Sequence, residues 1–410
     1  MDAQWSYSIP PLPVDRDAPP TDYYGVLATI ARRIAAGTLT SRVHMATELG
    51  LSRTTVANHI DTLIKVGLVE RAGYLDSGGR GRPVQHLVLS RTAGVIAIAE
   101  LGARHANLAI VTLQQEILGL EQHRINILDG PEPILAWTSD NLRRMARETA
   151  AGIPIAAVVM SLPARLDRTT HVPVRPGLMP NWDGFSVTQR LARDFSCPIV
   201  QENDVNIIAL GEWSSLPAEQ APLVVVKVGT GIGAGMIDES GRIMEGFDGA
   251  AGEIGHIPVR SAPPTQCACG NIGCIEAVAS VPAMITRTCE RRPDAFESSP
   301  DELDCFAHLL KQADPSALEV VREAGHNIGE ALAILCNTLN PRRIVLTGEI
   351  TEVTDELLAS VRSVIYQVAR PLATRNLAIR QSQLGSLAGI AGGIVLGLRA
   401  VLSADQFRRH

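Results

Sequence analysis

The chain has 410 residues, 46% hydrophobic and 20% charged, with a formal net charge of −6. That length predicts two or three domains, and the composition excludes a disordered or fibrous chain. Residues 1–20 carry no secretory signal and no apolar run reads as a bilayer span, so no membrane role and a cytoplasmic location are expected. Seven cysteines, three of them between Cys267 and Cys274, argue for a metal site in a reducing compartment and not for disulfides.

Residues 1–20, with Pro10, Pro11, Pro13, Pro19 and Pro20, lack helical or strand periodicity and read as a disordered tail. Tyr23–Ala36 is an apolar, helix-compatible stretch that stops at Gly37. Two short helices follow. Ser41 caps one that runs to about Leu49, and Ser52 caps another that runs to about Val66, with glycines Gly50 and Gly67 at their ends. On the second, Val56, Ile60 and Leu63 recur at helical spacing and face inward, which leaves Arg53, Thr54, Asn58 and His59 mostly outward. Strands at Leu68–Tyr74 and Val84–Leu89 flank a basic tip, Ser77-Gly78-Gly79-Arg80-Gly81-Arg82-Pro83. Residues 21–90 therefore read as a winged helix-turn-helix.

Charge supports a nucleic-acid role for this segment. Between Tyr23 and Ser90 eight Arg/Lys face four acids, whereas the rest of the chain sums to −10. Arg53, Thr54, Thr55, Asn58 and His59 lie near the leading end of a helix that fits a major groove, and Arg80 and Arg82 can reach phosphates or a minor groove. The expected partner is double-stranded DNA.

Beyond Ser90 strands and helices alternate. Apolar strands are expected at Val95–Leu101, Ala106–Thr112, Ile155–Met160, Pro198–Val200, Leu223–Val228 and Arg343–Leu346. Helices are expected near Glu132–Ala150, Val187–Asp194, Pro315–Asn340, Thr354–Ala373 and Ala388–Leu402. This is an α/β body of two lobes. The first spans 91–200 and is completed by a C-terminal helix over 388–405; the second spans 201–387.

Cys267-Ala268-Cys269-Gly270-Asn271-Ile272-Gly273-Cys274 brings three thiolates together around glycine turns, and His256 is the best fourth ligand for a closed, structural Zn²⁺ site. Cys197, Cys289, Cys305 and Cys336 are isolated and read as core residues. Gly229-Thr230-Gly231-Ile232-Gly233-Ala234-Gly235 is either a phosphate-cradling loop or a glycine hairpin between strands. Asn203-Asp204, Glu253, His256 and Glu276 together form a set of carboxylates and amides suited to vicinal hydroxyls.

On Glu253-Ile254-Gly255-His256, the Cys267–Glu276 motif, Asn203-Asp204 ahead of the glycine run and the winged helix in front, the chain resembles the ROK family (repressors, open reading frames and sugar kinases). Within it, the resemblance is to the branch of xylose and N-acetylglucosamine repressors. It covers about Thr21 to Leu402. It implies a two-lobed, actin-like (ribonuclease-H-type) body in a homodimer or homotetramer. It also implies a sugar held by Asn181, Asn203, Asp204, Glu253, His256 and Glu276, with His256 touching both sugar and zinc. In the kinases the residue matching Asp204 deprotonates the sugar hydroxyl. Kinases also carry Asp-x-Gly-Gly-Thr after the first strand; here the stretch is Glu100-Leu101-Gly102-Ala103-Arg104-His105, and the adenosine-side glycines shrink to Thr347-Gly348-Glu349. The expectation is a sugar-responsive repressor on a palindromic operator, with no catalytic residues; the alternative is an active sugar kinase with a fused DNA-binding domain.

Overall fold

The computed structural model describes residues 22–37, 42–75, 84–174, 176–177, 179–217, 220–297 and 301–409. Helices α1 (Tyr23–Ala35), α2 (Arg42–Glu48) and α3 (Arg53–Lys65) precede an antiparallel pair, β1 (Val69–Leu75) and β2 (Val84–Leu89). The Ser52 hydroxyl accepts from the Thr55 amide at 3.0 Å and starts α3. Val56, Ile60 and Leu63 are fully buried in a core with Ile30, Met45 and Leu89. The Ser41 cap and the hairpin tip, with Arg80 and Arg82, lie outside the described residues.

Strands β3 (Val95–Leu101), β4 (His105–Thr112) and β5 (Ile117–Arg124) form a meander. Helix α4 (Pro131–Thr149) leads to β6 (Ile155–Leu162), and α5 (Val187–Leu191) leads to β7 (Ile199–Asn203). The sheet order is β5-β4-β3-β6-β7, the ribonuclease-H order with its second strand antiparallel. Since β7 runs to Asn203, the expected lobe boundary at 200/201 falls within a strand.

Helix α6 (Asp204–Ser215) crosses to β8 (Leu223–Val228) and β9 (Ile232–Ile237). Five helices follow: α7 (Ile275–Ala279), α8 (Val281–Arg291), α9 (Pro293–Phe296), α10 (Glu302–Lys311) and α11 (Pro315–Leu339). Then come β10 (Arg343–Thr347), α12 (Glu349–Val353), α13 (Glu356–Val368), α14 (Pro371–Thr374) and β11 (Ala378–Gln381), giving a second sheet in the order β11-β10-β8-β9. The glycine run is thus a hairpin, with the Gly229 amide donating to the Gly231 carbonyl at 3.0 Å.

The chain ends in α15 (Ala388–Val401) and α16 (Ala404–Arg409). Helix α15 packs on β3 and β6 and against α6. A Cβ on Gly211 of α6 would lie 2.0 Å from the Ala388 carbonyl oxygen, and one on Gly392 would lie 1.9 Å from the Ile207 carbonyl oxygen, so the helices meet backbone to backbone. The segment Gly385–Arg409 is, against expectation, long and apolar enough for a membrane span, with a mean hydropathy of 1.8. Its apolarity is explained by burial, since α15 lies between α6 and the first sheet. The expected helix to residue 405 breaks near Ser403, and α16 turns to pack on α1. Arg408 donates to Asp22 at 3.0 Å and lies 5.7 Å from the Tyr24 ring centroid, while Gln115 donates to the Ala35 carbonyl at 3.0 Å.

Replacing Gly211 with Ala forces the helices apart and is expected to cost about 2–3 kcal/mol of stability. Urea unfolding measures it, and an unchanged midpoint refutes the contact.

Candidate functional site

In the N-terminal module Arg53, Thr54 and Asn58 are exposed along α3, and Thr55 is half-buried with its hydroxyl 2.8 Å from that of Ser52. His59 corrects the expectation. It is only 4% exposed, and its ring meets Tyr23 edge-on at 4.6 Å between centroids. Position 59 lies three residues after Val56 and next to Ile60, which rotates it onto the inner face. Burial lowers its pKa, in keeping with a neutral core imidazole.

The sugar-recognition candidates lie where β7 and α6 meet the loops after β6 and β9. Asn203 is the N-cap of α6: its Oδ1 accepts from the amides of Val205 and Asn206 at 3.1 and 3.2 Å, and its Nδ2 donates to the Ala164 carbonyl at 3.0 Å. One amide hydrogen is left for a ligand. Capping fixes the first turn of α6, where Asp204 sits buried at 6% exposure with its Oδ2 accepting from Lys227 Nζ at 2.8 Å. Glu253 has a side chain 43% exposed, with Oε1 2.5 Å from Arg165 Nε and Oε2 3.6 Å from His256 Nε2. Glu276 is anchored through Oε2, which accepts from the Ile232 amide at 3.0 Å, so Oε1 remains for a hydroxyl. Asn181 is exposed on the short turn Pro180–Trp182, and among the described residues no hydrogen bond ties it to the other five.

Arg165 and Lys227 were not anticipated. Besides Glu253, Arg165 reaches the Ala234 carbonyl at 3.4 Å and Asn203 Oδ1 at 3.5 Å, linking the loop after β6 to β9. Nothing in the residues around Arg165 marks it. Lys227 did carry a signal, as the one charged residue in the apolar strand Leu223–Val228.

His256, Cys267, Cys269 and Cys274 place their ligand atoms within 4.8 Å of one another. Cys269 and Cys274 sulfurs are 3.7 Å apart, and Cys267 Sγ is 3.7 Å from His256 Nδ1. An ion with sulfur ligands at about 2.3 Å has a tetrahedral edge of about 3.75 Å, so the donor set fits a tetrahedral metal. Burial first, then the neighbouring thiols, pushes Cys274 up to about 12, a cost a bound cation removes. Nδ1 faces the sulfurs and Nε2 faces Glu253, so one imidazole touches both groups of residues.

At the end of β3, Glu100 is 5% exposed and accepts from Asn107 Nδ2 at 3.1 Å. Burial raises its pKa, against the pull of Lys227 and Asn107. The His105 ring covers Gly102: a Cβ there would meet its Cε1 at 2.3 Å. Burial, then the Lys227 charge, lowers His105 to about 4. Unfolded histidine titrates near 6.5, so the unfolded chain takes up this proton first and the folded state loses stability as pH falls from about 6.5 to about 4. His105→Gln, which cannot charge, is expected to lose about 2 kcal/mol less than the unmodified chain between pH 7 and pH 4.5. Urea unfolding of both chains at the two pH values measures the difference, and equal losses refute it.

The family model described as "ROK family" matches residues 95–400. A xylose repressor of Caldicellulosiruptor bescii is 26% identical over 393 residues, covering 92% of this chain and 96% of its own. A glucokinase of Halalkalibacterium halodurans is 29% identical over 306 residues, covering 72% of this chain and 92% of its own. The crystal structure of a ROK family transcriptional regulator, a homologue of the E. coli MLC protein, superposes with a TM-score of 0.79 at 22% identity, over 94% of this chain and 98% of its own. The winged helix followed by two sheets is thus a shared architecture, and the family match spans most of the body. The chain belongs to the ROK family.

Proposed function

We propose that this protein is a sugar-responsive, cytoplasmic transcriptional regulator, a repressor of carbohydrate-related genes. In this reading a homodimer or homotetramer sets two α3 helices in successive major grooves of a palindromic operator, and a sugar effector occupies the kinase-like cleft. The observation that carries it is coverage: the xylose repressor aligns over 92% of this chain, whereas the glucokinase aligns over 72%. Arg53, Thr54, Thr55 and Asn58 are assigned to DNA, with Arg80 and Arg82 of the wing. His59 is reassigned to the module's core.

In the cleft, Asp204, Glu253 and Glu276 would accept from sugar hydroxyls, and His256 would donate through Nε2. Asn203 would offer its remaining amide hydrogen, and Asn181 a further contact. The division that fits this reading is a module at 21–90, one lobe at 91–203 with α15, and a second lobe at 204–387. Effector binding favours one arrangement of the lobes over another, and only that difference in affinity can act on the DNA module.

A Zn²⁺ ion would be held by His256, Cys267, Cys269 and Cys274 as a structural cofactor. When bound, it fixes the imidazole tautomer with the proton on Nε2, toward the sugar. Cys269→Ser is expected to lower the zinc content from one ion per chain and to reduce thermal stability; full zinc content in the variant overturns the ligand set.

The glucokinase likeness keeps a second reading in view, an active kinase. Three features weigh against it: Glu100 in place of the shorter acid, the His105 ring on Gly102 and the Lys227 ammonium on Asp204. Phosphoryl transfer depends on positioning, so each of these works against it. Selected operator fragments titrated against pentoses, hexoses and amino sugars, with and without magnesium ATP, test both readings. The expected result is one sugar lowering operator affinity at least about tenfold without ATP turnover, a coupling within the usual allosteric range. Indifference of operator binding to the whole panel sinks the regulator reading, and turnover abolished by Asp204→Asn establishes the kinase.

A further inference from the structure

Lys227 stands at the C-terminal end of β8, in register with Gly233 of β9 and Thr347 of β10, so it emerges beside the Gly229 turn. It is the one charged side chain of that strand, and it is only 19% exposed. Its ammonium donates to Asp204 Oδ2 at 2.8 Å, and Asp204 is itself 8% exposed at the side chain. The charges of Glu100 and Glu349 act on the same ammonium. These acids come from separate elements: Glu100 ends β3 in the first sheet, Asp204 starts α6, and Glu349 follows β10 in the second sheet. A lone ammonium is costly to bury, and a lone carboxylate is too. Here one cation pairs with Asp204 and stands in the field of an acid from each sheet. Carboxylates from several elements around one buried cation are the kind of oxygen-rich surroundings a hard divalent ion takes.

We propose that Lys227 is a tethered cation that does the work of a divalent metal in this cleft: it fixes the Asp204 carboxylate as a hydroxyl acceptor and denies the position to a metal–nucleotide complex. The inference rests on the regulator reading, and it makes Lys227 a positioning residue. It also accounts for how a sugar-binding carboxylate is held without any bound nucleotide.

Magnesium chloride alone is the probe, because Mg²⁺ prefers oxygen ligands, binds through one or two carboxylates plus waters, and leaves thiolate sites alone. Thermal unfolding of the zinc-loaded full chain is read with and without it. The unmodified chain and Lys227→Arg are expected to show no magnesium response. Lys227→Met is expected to unfold about 5 °C lower and to recover about 2 °C or more in magnesium, and Asp204→Asn added to it removes the response. A magnesium-dependent rise in the unmodified chain overturns the proposal, as does a Lys227→Met chain that is stable and indifferent to magnesium. If Lys227→Met does not fold, the double variant Lys227→Met/Asp204→Asn decides: recovery of a folded chain supports the charge role, and continued failure overturns it. No sugar, DNA or ATP enters this experiment, so its failure is separate from failure of the functional reading.

Discussion

The molecule depends on how closely α15 can approach its neighbours. Gly389, Gly393 and Gly397 recur every four residues and lie over Glu100, Ile98 and Ile96, which recur every two along β3. Four helical residues rise about 6.0 Å and two strand residues about 6.6 Å, so the two repeats stay in step. A Cβ at any of the three would sit 2.4–2.7 Å from the facing side chain. Gly392, on another side of the same helix, meets Ile207 of α6. One helix therefore sets the separation of β3 and α6, and with it the distance between Glu100 at the end of one and Asp204 at the start of the other.

That spacing governs the chemistry available to the cleft. The Asp204 charge acts on Glu100, and a cation beside both offsets that repulsion. Lys227 supplies that cation from the second sheet, and Arg165 performs a parallel task from the first, reaching Glu253 and the Ala234 carbonyl. Buried ion pairs contribute little net stability after desolvation, but removing one partner is costly. Their effect here is geometric: carboxylates suited to hydroxyl recognition are aimed by basic residues that belong to other elements.

Much of this was legible in the sequence wherever periodicity and composition agree. Strand β3 matches its expected bounds because six of its seven residues are apolar, Glu100 being the exception, and all seven are buried. The cysteine cluster was legible because Cys-x-Cys and glycine turns have few other uses. Strand β5 was not: Ile117–Arg124 is an edge strand of mostly half-exposed residues, so apolar and polar positions do not alternate cleanly. Four-residue β11 is too short to show a period, and the amphipathic α8 and α10 were passed over. His59 is polar yet buried, because its helical position sets it beside Ile60 on the inner face, and residue type alone does not show this. Arg165 and Lys227 matter through long-range pairing, with partners 88 and 23 residues away, which no local pattern encodes.

The same helix that spaces the cleft also ends at the N-terminal module. Helix α15 begins against Glu100 and α6, and after Ser403 the chain turns into α16, which lies on α1. It meets α6 backbone to backbone and lies with its glycines on β3 side chains, and packed interfaces shift between discrete arrangements instead of deforming smoothly. A change at the cleft that moves α15 must therefore carry α16 with it. At the junction with the module, Phe407 and other apolar residues join the module's core to that of the first sheet in one continuous cluster, and the polar ties include the half-exposed Arg408–Asp22 pair and hydrogen bonds from Gln114 and Gln115. An exposed ion pair is worth roughly 0–1 kcal/mol and a hydrogen bond about 1 kcal/mol. These polar terms add to the apolar burial shared across the junction. The path from the cleft through α15 and α16 thus reaches the module whose α3 carries the exposed Arg53, Thr54 and Asn58.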